Sequence, residues 1–576
     1  MRKINSLLII LFLFVYLAAC TPPTEKPIDN EKDEFGLEKS INKNKTTLFV
    51  SNFNGAFGER WLKAAIKRYE ELHKDDVYEE GKKGVQIWID NSKQVGSDIL
   101  TIIDNSRADI FFTEFVFYSD FVSSGKLLDL TEIVTEKLVK YGESKSLLDK
   151  MTKEQIDYFQ TSENKYYALP HYQAFRGLTY DVDLFEEEFL YLSANKNNGN
   201  DGFIVSLEDE RSKGPDGISG TYDDGLPATY DEFFALCDRM KLLGITPMIW
   251  TGSNQVYFTE FLATLACDYE GLEQSMLNFT FNGEATNLVD KINSDGSVVY
   301  KSPTQITTNN GYLLSKQAGK YYSLAFAERL LDKSKRYIDL RSMGNLSHTD
   351  AQKEYIASRF VSSANTIGMI LESSYWENEA SDMGYFATMA KQYGEDKAGR
   401  YARRFGFMPF PKATEDKVGE GITVVDYLNS AAFIKANIEN YKKDLALDFL
   451  QFLYTDESLQ EFTLYTGCPK ALNYTIEPIF DQLSFYTKSV FEIREKAAIV
   501  YPFSSKPIYR DQPSSFLITS FFNTVVNQGE GDTPFTFPST AIYKYNVTAL
   551  EYFNGLSIVN SQSNWETKFG KYFNKE

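Results

Sequence analysis

Two hydrophobic periods share this chain, one of strands and one of helices, and they take turns. Residues 7–17 form a short apolar run behind Arg2 and Lys3. Residues 21–45 are rich in Pro, Glu, Asp, Lys and Asn, cannot bury an apolar face, and read as a flexible tether. The first compact element is an apolar strand at 47–50, ending in the polar turn Ser51-Asn52-Phe53-Asn54-Gly55. Helical spacing follows over 59–72, with Trp61, Leu62, Ala65, Ile66 and Tyr69 on one face. A strand at 85–89, a helix near 97–105 and a strand at 108–112 complete the first unit.

The middle of the chain repeats this logic. Strands are predicted at 177–180, 246–250, 366–371, 405–410 and 430–434, with helices at 182–189, from 230, and at 443–454. Thr229 with Glu232 three residues on reads as a capping box. The final hundred residues are aromatic-rich helix and loop, and no internal repeat is visible. Strands alternating with helices predict a doubly wound α/β sheet, whose ligands bind beyond the carboxyl ends of the strands. The loops at 52–58 and 113–118 occupy that location.

Composition narrows the class. A chain of 576 residues with 43% hydrophobic content is too long for one ordinary domain. Its net charge of -20 repels nucleic acid and anionic headgroups, so no nucleic-acid partner is expected. His73, His171 and His348 share no ligand-like spacing, so a His-based zinc site is not expected and none lies in a nucleophile motif. Cys237 and Cys267 sit in apolar helical patterns; they read as buried thiols, with a bridge between them left open, and Cys468 is then unpaired.

A basic start, a short apolar core and small residues before a Cys make an export signal. The run Leu17-Ala18-Ala19-Cys20 resembles the lipobox of bacterial lipoproteins, in which the signal is removed and the Cys carries lipid. That resemblance implies a signal peptide at 1–19 and a body anchored by palmitate-type lipid on Cys20 to the outer face of a cell membrane.

Further segments resemble, in order, the family 1 extracellular solute-binding proteins of ABC importers. They are Ser51 to Gly55, Asp109-Ile110-Phe111-Phe112-Thr113, Gly125 to Leu130, Gly177-Leu178-Thr179-Tyr180-Asp181 and Thr246-Pro247-Met248-Ile249-Trp250. They continue with Met369-Ile370-Leu371-Glu372-Ser373-Ser374-Tyr375-Trp376, Gly406 to Pro411, Asn429 to Ile434 and Ala446 to Gly467. The resemblance implies a type II periplasmic-binding-protein-like fold: two α/β lobes, a hinge, and a ligand cleft between them. It places one lobe at 46–174 plus 413–470 and the other at 175–412 plus 471–576, with an insert at 190–226. It implies sugar contacts from Asn52, Asn54, Phe57, Thr113 and Glu114, with Trp376 as an aromatic platform and Tyr375 and Trp250 behind it. The family usually has Gly where Ser373 or Ser374 stands, and this chain is longer than typical members.

The insert carries Asp209, Asp216, Asp223 and Asp224 among glycines. Hard oxygens on Gly turns suit a structural Ca²⁺, although the spacing is not that of an EF-hand; a solvated polar turn is the alternative. No other cofactor is expected. The sequence thus points to a non-enzymatic, monomeric binding protein that delivers a carbohydrate to importer permease subunits. A surface glycoside hydrolase, or a binder of a peptide, polyamine or metal, remains the alternative.

Overall fold

The computed structural model describes residues 32–53, 58–90, 99–114, 117–361, 365–427, 430–529 and 531–574. The expected export signal, with Cys20, and the expected contacts Asn54 and Phe57 lie outside them. The second half of the expected tether is docked, not loose. Asn42 N–H donates to Gln86 Oε1 at 2.8 Å, Gln86 Nε2 donates to Ser40 O, and Phe35 meets Tyr465 edge-on.

Among the described residues two main sheets carry the architecture. The first has the spatial order Val85–Ile89, Thr46–Asn52, Ile110–Thr113, Ala431–Ile434, Leu169–Pro170. Its first three strands run parallel and Ala431–Ile434 is antiparallel to its neighbours. Every residue of Thr46–Asn52 is buried. That is why the strand shows an apolar run and not an alternation: helices cover both faces of a parallel sheet. The helix Arg60–Leu72 covers one face with Trp61, Leu62, Ala65, Ile66 and Tyr69, the stripe its spacing predicts.

The second sheet has the order Phe405–Met408, Arg176–Asp181, Ile367–Ser373, Thr246–Ile249. Ile367–Ser373 runs parallel to Thr246–Ile249 and antiparallel to Arg176–Asp181. Thr229 caps its helix, accepting from Glu232 N at 3.3 Å. The Glu232 carboxylate reaches back to Ala228 N instead of closing the box on Thr229.

The helix Val256–Thr280 is broken at Gly271, where φ 75 and ψ 173 leave helical space. It packs on Ala318–Leu330 so closely that a Cβ on Gly319 would lie 2.4 Å from Ala266 O. No helix among the described residues is long and apolar enough to cross a membrane. The C-terminal region forms helices of its own. Phe485–Lys496 lies against Phe405–Met408, with Phe407 N donating to Ser489 Oγ. Ala549–Val559 lies against Ala318–Leu330.

Two connections link the sheets, after Leu169–Pro170 and before Ala431–Ile434, a third segment at 467–472 leads on to the C-terminal helices, and the three are bonded to one another. Tyr172 pairs with Lys470 and Phe175 with Asp426. Gln173 N donates to Pro469 O at 2.9 Å, and Ser430 Oγ donates to Tyr172 O at 3.0 Å. Beside them Lys470 Nζ lies 2.7 Å from His171 Nδ1 inside a box of rings that includes Trp61, Tyr454 and Phe462. Burial pushes the Lys470 ammonium well below its ordinary range.

Candidate functional site

The carboxyl ends of Thr46–Asn52 and Ile110–Thr113 in one sheet face the same junction as those of Ile367–Ser373 and Thr246–Ile249 in the other. The amino end of Arg176–Asp181 meets them, because that strand runs antiparallel to Ile367–Ser373. The connections pass through this junction, so side chains at these ends come from both lobes and from the hinge.

Arg176 is its centre. The guanidinium is buried and donates to Glu260 Oε2 from Nη2 at 2.8 Å and from Nε at 3.1 Å. Its Nη1 lies 3.5 Å from Glu372 Oε2. Its carbon sits 3.6 Å from the ring centre of Tyr257 and 4.6 Å from that of Tyr427, a double cation–π arrangement. Tyr257, Tyr375 and Tyr427 are each half-buried. The hydroxyls of Tyr427 and Ser373 are hydrogen-bonded, and Phe175 N donates to Ser374 Oγ at 3.2 Å. The hinge therefore holds the turn before Tyr375 directly. Ser373 and Ser374 supply those hydroxyls.

Carboxylates exceed cations here. Glu372 is 1% exposed; its Oε2 accepts from Ser373 N, and its Oε1 has no hydrogen-bond partner among the described residues. Burial, against the pull of Arg176, pushes its carboxyl up. From the other lobe Glu114 accepts from the Tyr172 hydroxyl. Burial pushes the Glu114 carboxyl up to about 7, opposed by that hydrogen bond and helped by the charge of Glu379. Glu379 accepts from Gln352 at 2.6 Å and lies 3.4 Å from His348 Nε2. This partner and its charge raise the His348 imidazole against the effect of burial. The open Glu372 Oε1 calls for a ligand that brings a hydroxyl or ammonium proton to it.

The residues expected from the sequence divide here. Glu114 and Tyr375 stand at the junction. Thr113 and Asn52 are buried at the strand ends, and Asn52 Nδ2 donates to Gly58 O at 3.2 Å. Trp376 is not a platform in this structure. It opens the helix Trp376–Asp382, which turns it inward, and its indole is fully buried, edge-on to Phe405 at 5.1 Å and to Tyr355 and Tyr486 at 5.7 Å. Trp250 is likewise fully buried and stacks on Phe258 at 5.0 Å. Sequence reasoning did not find Arg176, Tyr257, Tyr427, Glu260 or Glu379. One signal was available: Arg176 stands immediately before the Gly177 segment, a charge beside a buried strand.

The insert's carboxylates serve their own loop. Asp209 accepts from Val205 N and Ser206 N, Asp216 from Ile218 N, and Asp224 from Gly220 N. Buried Asp223 accepts from Asp216 N and from the Thr221 hydroxyl. Among the described residues no three acidic, His or Cys side chains gather as a metal group. Cys237, Cys267 and Cys468 are free and buried, which settles against the bridge left open above.

Comparison with known proteins supplies the frame for this geometry. Among curated proteins none matches the sequence. Solved structures do match. The chitin oligosaccharide binding protein aligns with a TM-score of 0.50 at 15% identity, over 90% of this chain and 99% of its own. The GacH receptor of Streptomyces glaucescens aligns at 0.50 and 13%, over 92% and 99%. A structure described for xylan utilization by Caldanaerobius polysaccharolyticus aligns at 0.51 and 14%, over 89% and 99%. At these identities they share the fold, the two-lobed type II arrangement. The family model of the bacterial extracellular solute-binding proteins matches residues 55–460, well over half of the chain, and the chain belongs to that family.

Proposed function

We propose that this solute-binding protein captures a carbohydrate between its lobes, with Tyr375, Tyr257 and Tyr427 offering ring faces and Glu114, Glu372 and Glu379 accepting hydroxyl protons. The observation that carries the reading is the Arg176 cluster: half-buried tyrosines beside more buried carboxylate than cation, at the strand ends of both lobes. Tyrosine faces suit the apolar side of a pyranose, and carboxylates suit its hydroxyls. Within this reading the bound sugar is passed to the permease subunits of an ABC importer, and lipid on Cys20 keeps the monomer at the membrane face. The captured sugar is recovered intact.

A thermal-shift screen over mono- and oligosaccharides tests this, because a ligand that binds only the folded state raises the melting point. The expected result is a shift with at least one sugar, which chromatography then recovers unchanged. No shift across the panel defeats the reading, and cleavage of the sugar turns it into a hydrolase. Cys20→Ala is expected to release the protein from the cell surface.

A further inference from the structure

The C-terminal region, beyond the residues the family model matches, closes a cavity of about 170 Å³ against the body of the second lobe. It is separate from the Arg176 cluster and shares no residue with it. Four rings make much of its wall: Phe281 meets Phe516 at 5.4 Å and Trp565 at 5.5 Å, and Trp565 meets Phe569 at 4.6 Å.

Lys320 lines the same cavity and is 4% exposed. Its ammonium donates to two neutral oxygens, Asn278 Oδ1 and Leu314 O, both at 3.0 Å. It also stands 4.3 Å from the ring centre of Phe521. No ion pair reaches it among the described residues. The carboxylate that influences it, Glu270, is taken up by Gly319 N at 2.7 Å and Asn287 Nδ2 at 3.2 Å. The Cys267 thiol is its other titratable neighbour, and Lys568 adds a second ammonium at the rim. A buried cation without a counter-charge is costly. An anion in the cavity would supply that charge and take the third N–H.

We propose that this cavity is a second ligand site, for a small molecule of one ring bearing a carboxylate. The size fits, since a cavity of ~150 Å³ holds benzene. The aromatic wall takes the flat face of the ring, and Lys320 takes the carboxylate. An aromatic acid and a uronic acid share this chemistry.

The test uses the full chain, with benzoate and glucuronate as probes and benzyl alcohol and glucose as their neutral counterparts, read by calorimetry. At least one carboxylate is expected to bind more tightly than its neutral counterpart. Lys320→Met should weaken it by about 10- to 100-fold, the range of a charge-assisted hydrogen bond. Whichever probe binds names the source. Burial lowers the Lys320 ammonium to about 8, so affinity should fall as pH rises through that value. Failure of both carboxylates in the millimolar range, equal binding of the neutral rings, or unchanged binding by Lys320→Met overturns the proposal. Should Lys320→Met not fold, a pH-independent affinity of the wild-type chain overturns it instead. None of these results bears on sugar capture at Arg176.

Discussion

Arg176 and Lys320 are both buried cations set against aromatic rings, and their surroundings are opposite. Arg176 lies over Tyr257 and Tyr427 and is paired with Glu260 and Glu372. Lys320 lies over Phe521 and is held only by neutral oxygens. The first cation is already neutralised, so what its site lacks is a proton donor for the open Glu372 Oε1. The second lacks an acceptor. The same side-chain types therefore select a hydroxyl-rich ligand at the hinge and an anionic one under the C-terminal helices. The position of carboxylates decides between them.

The sharpest way to break this contrast is to remove each cation. Arg176→Leu leaves Glu260 and Glu372 buried without their partner and should destabilise by about 3–5 kcal/mol, measured by urea unfolding. Lys320→Met removes a charge that has no ion partner but also its hydrogen bonds to Asn278 Oδ1 and Leu314 O, and should cost the unliganded chain less than Arg176→Leu, about 1–3 kcal/mol, in the same measurement. Similar losses for both variants would erase the distinction.

Next in size is the pair of neighbours Tyr375 and Trp376. Tyr375→Ala removes a half-buried ring at the junction; sugar affinity should drop by about 10- to 100-fold, roughly 1–3 kcal/mol, with little change in melting point. Trp376→Phe alters a ring packed among Phe405, Tyr355 and Tyr486. It should cost about 1–3 kcal/mol of stability, as core changes do, and keep the sugar response. The reverse pattern would restore Trp376 as the platform.

A smaller effect comes from the raised carboxyls. Glu114 has its folded pKa lifted from 4.5 to about 7, so the folded state holds that proton more tightly than the unfolded chain. Its contribution to stability is full below about pH 4.5 and is lost as pH rises through about 7. Glu372 acts in the same direction. Melting points across this window should therefore fall with rising pH, and Glu114→Gln should flatten the decline. A decline that is equally steep in the variant would show that other groups set it.

Much of this fold is legible in the sequence because buried parallel strands are written as apolar runs. Residues 47–50 and 108–112 lie in, or overlap, strands fully buried by helices, and Arg60–Leu72 carries its stripe at helical spacing. The site is less legible. The resemblance puts Trp376 before its neighbour Tyr375, but the turn of the helix that Trp376 opens sends the tyrosine ring to the junction and the indole to the core. Arg176, Tyr257, Glu260 and Tyr427 come from separate segments, and sequence spacing carries no trace of a contact made across a hinge. The insert is ambiguous for a related reason: Asp and Gly in a loop serve cation binding and backbone capping alike, and its carboxylates accept backbone N–H groups.

The central claim is capture of an intact sugar at the Arg176 cluster. Isothermal titration of the wild-type chain and of Tyr375→Ala, with the sugar that gives the largest thermal shift, tests it most directly. One sugar bound per chain, recovered unchanged, and an affinity lowered at least about 10-fold in Tyr375→Ala is the predicted result. Equal affinity in the two proteins would contradict it.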